Sequence, residues 1–527
     1  MANTKATTKK RSGLIYPAVF ILPALIMIAC GIIFKVEAIV PYILAYALLA
    51  AIPGFFLGSK TYGMAALVTS IIFVTGIGGY TAADNLLSKS GLIEDKAFAG
   101  AVSSALGKFP AFITKSDLEE VKVLILEGKY DANYGSPAPG FTLTLGYDEA
   151  LTYLKAEDQS AYDSEELEGY FKSAGSDVDI SDYSSLSHFV NIEYIAVNQP
   201  NTYLYYYYGI APGYLSKFND LSVLENMKSL SDLIIFNAAA SDLSPLAGLV
   251  KMENLSVQYC NVGDASVLGN LTALKSLNLS SAGISDISFA SSLTNLSELY
   301  LAGNQIEDIG AVKNLANLNE LMLNSNQIKD VSPVSGLKQL STLYMSYNQI
   351  KDIKALGSLS ALESIYLSGN QIEDASPLFS LSSLVYMSVS ENALADIGGI
   401  ESCASLETLY INGNKITDLA PLTGLTGLTS LYADNNGIED ISPVSSVSSL
   451  TTLSLKGNQI SDISALASLS ALTGLYLDEN LITDFSPIDA LEQGGASVSG
   501  KDNQLVEYDH DHDHDHGEDG EYGDEEG

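Results

Sequence analysis

The chain has 527 residues, 47% of them apolar, and sets 26 basic side chains against 63 acidic ones, a formal charge of −37. Such acidity, with Arg11 as the one arginine, excludes recognition of a phosphate backbone, so no nucleic-acid partner is expected. Three cysteines, Cys30, Cys260 and Cys403, exclude a disulfide-built scaffold.

The charge is unevenly placed. Residues 1–83 carry six Lys/Arg and one Glu, whereas 502–527 carry twelve acidic residues and no base. Residues 14–34, 38–58 and 61–83 are uncharged and mostly apolar, separated by Lys35-Val36-Glu37 and by Ser59-Lys60. Each run matches the roughly 20 helical residues that cross a hydrocarbon core of about 30 Å, which predicts a three-helix transmembrane anchor. Lys5, Lys9, Lys10, Arg11 and Lys60 place the N-terminus in the cytoplasm and the chain from about residue 84 outside. No ionisable side chain lies within the runs, so a bland anchor is expected and a transporter is not.

Residues 84–107 read as a linker containing a helix over 94–106. The stretch 113–119 reads as an N-terminal cap, with Ser116 and Glu119 spaced as a capping box. Between 129 and 180 tyrosine, glycine and acids mix, with helices predicted around 147–154 and 164–173.

A 22-residue period governs most of the remaining chain. Asn recurs at that spacing from Asn304 through Asn326, Asn348 and Asn370 to Asn480, and Asp recurs thirteen times from Asp220 to Asp484. One unit runs Leu296-Ser-Glu-Leu299-Tyr-Leu301-Ala-Gly-Asn304-Gln-Ile306-Glu-Asp308-Ile309. Leu299 and Leu301 alternate around Tyr300 with the period of a strand, pointing two side chains inward and the tyrosine outward. The Asn is placed to satisfy backbone groups where the chain leaves the strand, and the Asp to cap the turn after it. Pro245, Pro333, Pro377, Pro421, Pro443 and Pro487 each lie three residues after such an Asp, where a missing N–H is tolerated. Leu315, Leu337, Leu359, Leu381, Leu425 and Leu469 fill the far side of the core, and Cys403 takes the same slot. Cys260 stands in an Asn position. A degenerate earlier unit over 182–197 aligns with 220–235, pairing Phe189 with Met227, Ile192 with Leu230 and Ile195 with Leu233, and the tyrosine-rich stretch 201–209 is an insertion between them.

This pattern, LxxLxLxxNxIxDI, resembles the 22-residue leucine-rich repeats of internalin-type bacterial surface proteins and of phosphatase-regulatory proteins. The resemblance implies an α/β solenoid, a curved parallel sheet with short helical or irregular convex segments, and the apolar runs place a three-helix transmembrane anchor before it. The expected organisation is 1–83 as cytoplasmic N-terminus and three spans, 84–180 as linker, cap and tyrosine-rich region, 181–490 as the repeats, and 491–527 as a disordered acidic tail.

Two features are candidates for function. Four residues before the repeat Asn, on the expected concave face, stand Tyr300, Tyr344, Tyr366, Tyr410, Tyr432 and Tyr476, with Tyr386 two residues before Ser388. The neighbouring column is rich in Ser and Asn. Rigid amphipathic rings beside adaptable hydrogen-bonding groups suit a protein or glycan ligand. The second feature is the tail Asp509-His510-Asp511-His512-Asp513-His514-Asp515-His516. Alternating imidazole and carboxylate suits Zn²⁺ or another divalent metal, with no cofactor required elsewhere. No catalytic motif accompanies either feature, and His188 is the one histidine outside the tail, so no enzyme is expected. The favoured reading is a membrane-anchored, surface-exposed adhesin or receptor. The alternatives are divalent-metal capture by the tail outside the cell and a cytoplasmic-facing scaffold for an enzyme.

Overall fold

A computed structural model describes residues 92–108, 113–131, 136–155, 171–176, 179–198 and 218–505, in two compact units that divide after Met252. The runs 14–34, 38–58 and 61–83 lie outside the described residues, and among the described residues no helix is long and apolar enough to cross a membrane. The longest described helix, α1 (Lys96–Leu106), has 11 residues, about 16 Å at 1.5 Å per residue against a core of about 30 Å. The expected fold class is thereby corrected from anchor plus solenoid to a repeat solenoid with a folded cap. The expected three-span membrane localisation, with an extracytoplasmic repeat domain, is corrected with it.

In the first unit, α1 is a packed element rather than part of a linker. Its N-cap Asp95 is buried and accepts from the Phe98 N–H at 2.9 Å. The other oxygen accepts from the Ser181 N–H at 2.7 Å and the Ser181 hydroxyl at 2.5 Å, tying the helix to the start of the first repeat. Phe98 packs against Phe189 with ring centroids 6.2 Å apart. Helix α2 (Lys115–Glu119) does have a capping box, but Thr114 and Asp117 form it, two residues earlier than the predicted Ser116 and Glu119. Strands β1 (Val123–Asp131) and β2 (Ser136–Gly146) form an antiparallel hairpin. After α3 (Asp148–Leu154), β3 (Phe171–Ser176) adds to β2, so the last three residues of the helix expected over 164–173 are strand, and 164–170 lie outside the described residues. Phe171, Lys172 and Ser173 are paired in the sheet, and that pairing overrides the helical pattern. The far edge of β1 takes β4 (Tyr194–Val197) in parallel, and β4 takes β5 (Asp232–Phe236). Ile195 stands opposite Leu233, as the alignment of the degenerate repeat requires. Parallel repeat strands thus begin against a hairpin, which covers the apolar end a bare array would expose.

The second unit runs from β6 (Asn254–Gln258) to β17 (Ser497–Ser499). The intervening strands are short and parallel, each residue facing its counterpart 22 residues on, as in Leu299 with Leu321 and Tyr410 with Tyr432. After each strand the chain turns through a residue in the left-handed region. Gly303 and Gly369 occupy it without strain, whereas Tyr347 holds it at φ 57° with its ring over the bare Cα of Gly369. The return segments are five-residue 3₁₀ turns such as Gly310–Asn314 and Ser332–Gly336. A 22-residue unit leaves too few residues on this side for an α-helix, and the tighter 3₁₀ winding fits. The repeat Leu positions are fully buried, and Cys403 joins them with no accessible surface. Burial pushes its thiol up to about 11, so it is inert.

Two polar ladders run along the repeats, and the first holds them in register. The Asn370 amide donates to the Leu367 carbonyl of its own turn at 2.8 Å and to Met345 of the preceding repeat at 3.0 Å, while its Oδ1 accepts from the Ile350 N–H at 3.0 Å. Asn326, Asn348, Asn392, Asn414, Asn458 and Asn480 make the same set of bonds. The last place in the ladder is taken by Gln504, which accepts from the Ile482 N–H and donates to the Leu477 carbonyl. The Asp ladder is local: each carboxylate accepts from the N–H two residues on, as Asp440 does from Ser442 at 2.7 Å. At Asp264, Asp440, Asp462 and Asp484 that N–H, then the serine hydroxyl, holds the carboxyl below its ordinary 3.8, and at Asp220 and Asp374 the hydroxyl leads.

The two ladders differ in what their loss costs. Asn370→Ala leaves two buried carbonyls and one N–H without partners and is expected to cost about 3 kcal/mol in urea unfolding. Gln504→Ala, at the ladder's end, is expected to cost about 1 kcal/mol. The depressed Asp carboxyls contribute stability above 3.8, and it is lost as pH falls through their lower folded values. Urea midpoints should hold down to about pH 5 and drop below about pH 4, less steeply in D440N/D462N.

Candidate functional site

Residues two apart on a strand share a face, so each repeat of the second unit offers three adjacent columns on one side of the sheet. The parallel register brings the columns of successive strands together, with Tyr344 opposite Tyr366 and Tyr410 opposite Tyr432. All seven tyrosines predicted for this face lie on it, and each is half-buried rather than fully exposed. They do not form one uniform row.

Five of them stack. Ring centroids are 4.4 Å apart for Tyr344 and Tyr366, 4.6 Å for Tyr366 and Tyr386, 5.5 Å for Tyr386 and Tyr410, and 4.2 Å for Tyr410 and Tyr432. The last pair is parallel within 1°. Ser388 occupies the tyrosine column at the middle strand, and Tyr386, two residues away, leans its ring into the gap. Ser388 itself is buried and pairs hydroxyl to hydroxyl with Ser368 at 2.7 Å. Strand spacing of about 4.8 Å is close to the distance rings need, so the sheet sets the stack, and each ring pair contributes about 0.5–1.5 kcal/mol beyond its buried area.

The stack ends where neither outward position carries a ring. On one side Met322 separates it from Tyr300, whose hydroxyl donates to Glu320 Oε2 at 3.0 Å. On the other side Thr452 and Ser454 end it, and Tyr476 lies beyond, under the Lys456 ammonium at 5.0 Å. Of the sequence-predicted set, therefore, Tyr344, Tyr366, Tyr386, Tyr410 and Tyr432 are brought together and Tyr300 and Tyr476 stand apart.

Burial is the main reason the hydroxyls of Tyr344, Tyr366, Tyr386 and Tyr432 ionise above their ordinary 10.0, with neighbouring hydroxyls adding to it at Tyr344, Tyr386 and Tyr432. At Tyr300 burial acts with the Glu298 and Glu320 carboxylates in the same direction. Those five hydroxyls are thus neutral at neutral pH. Because the ring faces cover one another, the free surface of the stack is ring edges and hydroxyls, bordered by Thr342, Ser364 and Thr408 on one side and by Ser368 and Asn412 on the other. The carboxylates at the ends of this face, Glu298, Glu320, Asp434 and Asp478, are not singled out by sequence. Their position two residues from the tyrosine column is the signal that could have found them.

The predicted metal ligands Asp509, His510, Asp511, His512, Asp513, His514, Asp515 and His516 lie outside the described residues. Among the described residues no group of three or more His, Cys, Asp or Glu is placed to hold a metal ion. Cys260 and Cys403 are both buried thiols.

Comparison with known proteins agrees with this geometry. Residues 316–372 match the leucine-rich repeat family model, and 294–337, 382–424, 404–446 and 448–490 match the two-copy leucine-rich repeat model. The structure is similar to that of an internalin from Listeria monocytogenes, with 26% identity and a TM-score of 0.58, covering 76% of this chain and 97% of the internalin. It also matches internalin C2 of the same organism at 29% identity and a TM-score of 0.32, covering 40% and 86% of the two chains. The ectodomain of an Arabidopsis thaliana receptor kinase, crystallised with Casparian strip integrity factor 2, matches at 22% identity and a TM-score of 0.49, covering 56% and 37%. A comparison with curated proteins found no match. The chain is an internalin-like leucine-rich repeat protein, a fold consistent with protein binding of adhesin or receptor type.

The stack is open to a direct optical check. In alkaline titration at 295 nm, Tyr366→Ala is expected to bring the ionisation of Tyr344 and Tyr386 down towards 10.0, since it uncovers both rings. Tyr259→Ala, on an exposed turn, should leave their titration unchanged.

Proposed function

We propose that this protein is a non-enzymatic binding module that takes a protein ligand on the tyrosine face of its second unit. The observation that carries this reading is the continuous five-ring stack over five consecutive strands, Tyr344 to Tyr432. The core of each repeat is complete without these rings, because the inward Leu positions are already fully buried. Their surroundings are hydroxyls and amides, the mixture of rigid aromatic area and adaptable hydrogen bonding that paratopes use. The stack also arrives pre-ordered, which lowers the entropy lost when a partner docks.

Between the two ligand classes expected from sequence, the geometry favours protein over glycan. Stacking on a sugar needs a free ring face, and within the stack those faces are covered by neighbouring rings. Edges and hydroxyls suit backbone amides and side chains laid across the strands.

Panning a displayed random peptide library on the full chain tests this. Enriched peptides are expected to bind Y366S/Y410S at least tenfold more weakly than the unaltered protein, with both proteins showing the same circular dichroism. Equal binding to the two would overturn the assignment to this face. Retention of neutral glycans on an array, lost in the same variant, would move the ligand class to carbohydrate.

A further inference from the structure

The outward columns of this face carry their charge at the two ends only. Glu298 and Glu320 stand at one end, and Asp434, Lys456 and Asp478 at the other. From Thr342 to Asn412 the three columns contain Tyr, Ser, Thr and Asn and no charge. Lys456 does not reverse the sign of its end, since its ammonium lies 3.8 Å from Asp478 and over the Tyr476 ring. Both ends are therefore net anionic, with a neutral aromatic centre between them.

The spacing of the ends is set by the sheet. Glu320 lies in β9 (Glu320–Met322) and Asp434 comes just after β14 (Ser430–Tyr432), five strand intervals apart. At about 4.8 Å per interval that is about 24 Å across the strands. The offset of about 13 Å between the two outer columns makes the separation about 27 Å, which seven extended residues at roughly 3.3 Å each span together with the reach of two long cationic side chains. Resting on the face proposed above as the protein-binding surface, we infer that its partner is an extended polypeptide segment with a cationic residue at each end, about seven positions apart, and an uncharged centre. The terminal Lys or Arg side chains would meet Glu298 and Glu320 on one side and Asp434 on the other. The uncharged residues between would run over the edges and hydroxyls of the tyrosine stack. Charge complementarity of this kind fixes register and orientation more than it adds affinity. The same arrangement disfavours an anionic ligand at both ends.

Three synthetic eight-residue peptides with the same Gly/Ser/Leu centre separate the possibilities: one with Arg at both ends, one with Gln, one with Glu. Binding to the full chain is measured by fluorescence polarisation, with E320Q/D434N and Y366S/Y410S as variants. The glutamine and asparagine keep the hydrogen-bond acceptors used by the Tyr300 and Ser454 hydroxyls. The Arg peptide is expected to bind at least tenfold tighter than the Gln peptide, to lose most of that advantage in E320Q/D434N, and to weaken with added salt. The Glu peptide should not bind. Equal binding of Arg and Gln peptides, lost in Y366S/Y410S, would overturn the cationic inference while leaving the tyrosine face as the binding surface. A preference for Arg that persists unchanged in Y366S/Y410S and in E320Q/D434N would place the interaction elsewhere on the acidic surface and overturn both. Failure of all three peptides to bind would likewise overturn the inference.

Discussion

The structure depends on one side-chain amide repeated at a fixed interval. A chain of short strands joined by tight turns exposes carbonyls and N–H groups at every bend, and those bends are buried by the neighbouring repeats. An asparagine that donates to its own turn and to the turn before, while accepting from a third backbone group, closes that deficit. Because every bond set spans two repeats, the ladder also sets their register. The parallel strands and the leucine core then need no further choice. The aspartates act differently: each closes a turn within its own repeat and could be lost singly at small cost.

Register is what converts a repeated tyrosine into a surface. Strands spaced by about 4.8 Å set side chains of one column near the distance at which aromatic rings stack. Once stacked, the rings trade their faces for contact with one another and leave edges and hydroxyls to a partner. The break at Ser388 shows how tolerant the arrangement is, since a ring two residues away on the same face restores continuity. At Met322 and Ser454 no such substitute is present, and the stack stops there. The limits of the face are thus set by which outward position carries a ring, repeat by repeat.

The first unit obeys different rules. A hairpin lies against the first repeat strands, and α1 is tied to the first repeat by Phe98 on Phe189 and by the Asp95 carboxylate, which serves both as helix cap and as acceptor for the repeat's first turn. Local sequence assigns that helix to a linker because its interactions are with residues more than eighty positions away. The capping box falls two residues from its expected place because two overlapping sets of spacing-compatible residues occur there, Thr114 with Asp117 and Ser116 with Glu119. Residues 171–176 form a strand because β2 offers an edge to pair with, which a local pattern does not reveal.

The 22-residue period by itself determined the repeat fold, the inward leucines, the turn asparagines and aspartates, the burial of Cys403 and the identity of the outward tyrosines. Those features depend on residue type and spacing along the chain, and a period carries both. Tertiary structure decided which five tyrosines touch, how Tyr386 bridges the gap, that Gln504 completes the asparagine ladder, and how Asp95 joins the cap to the repeats. Each of these depends on which side chains meet across neighbouring strands or distant segments, and distance in space is not written in distance along the chain.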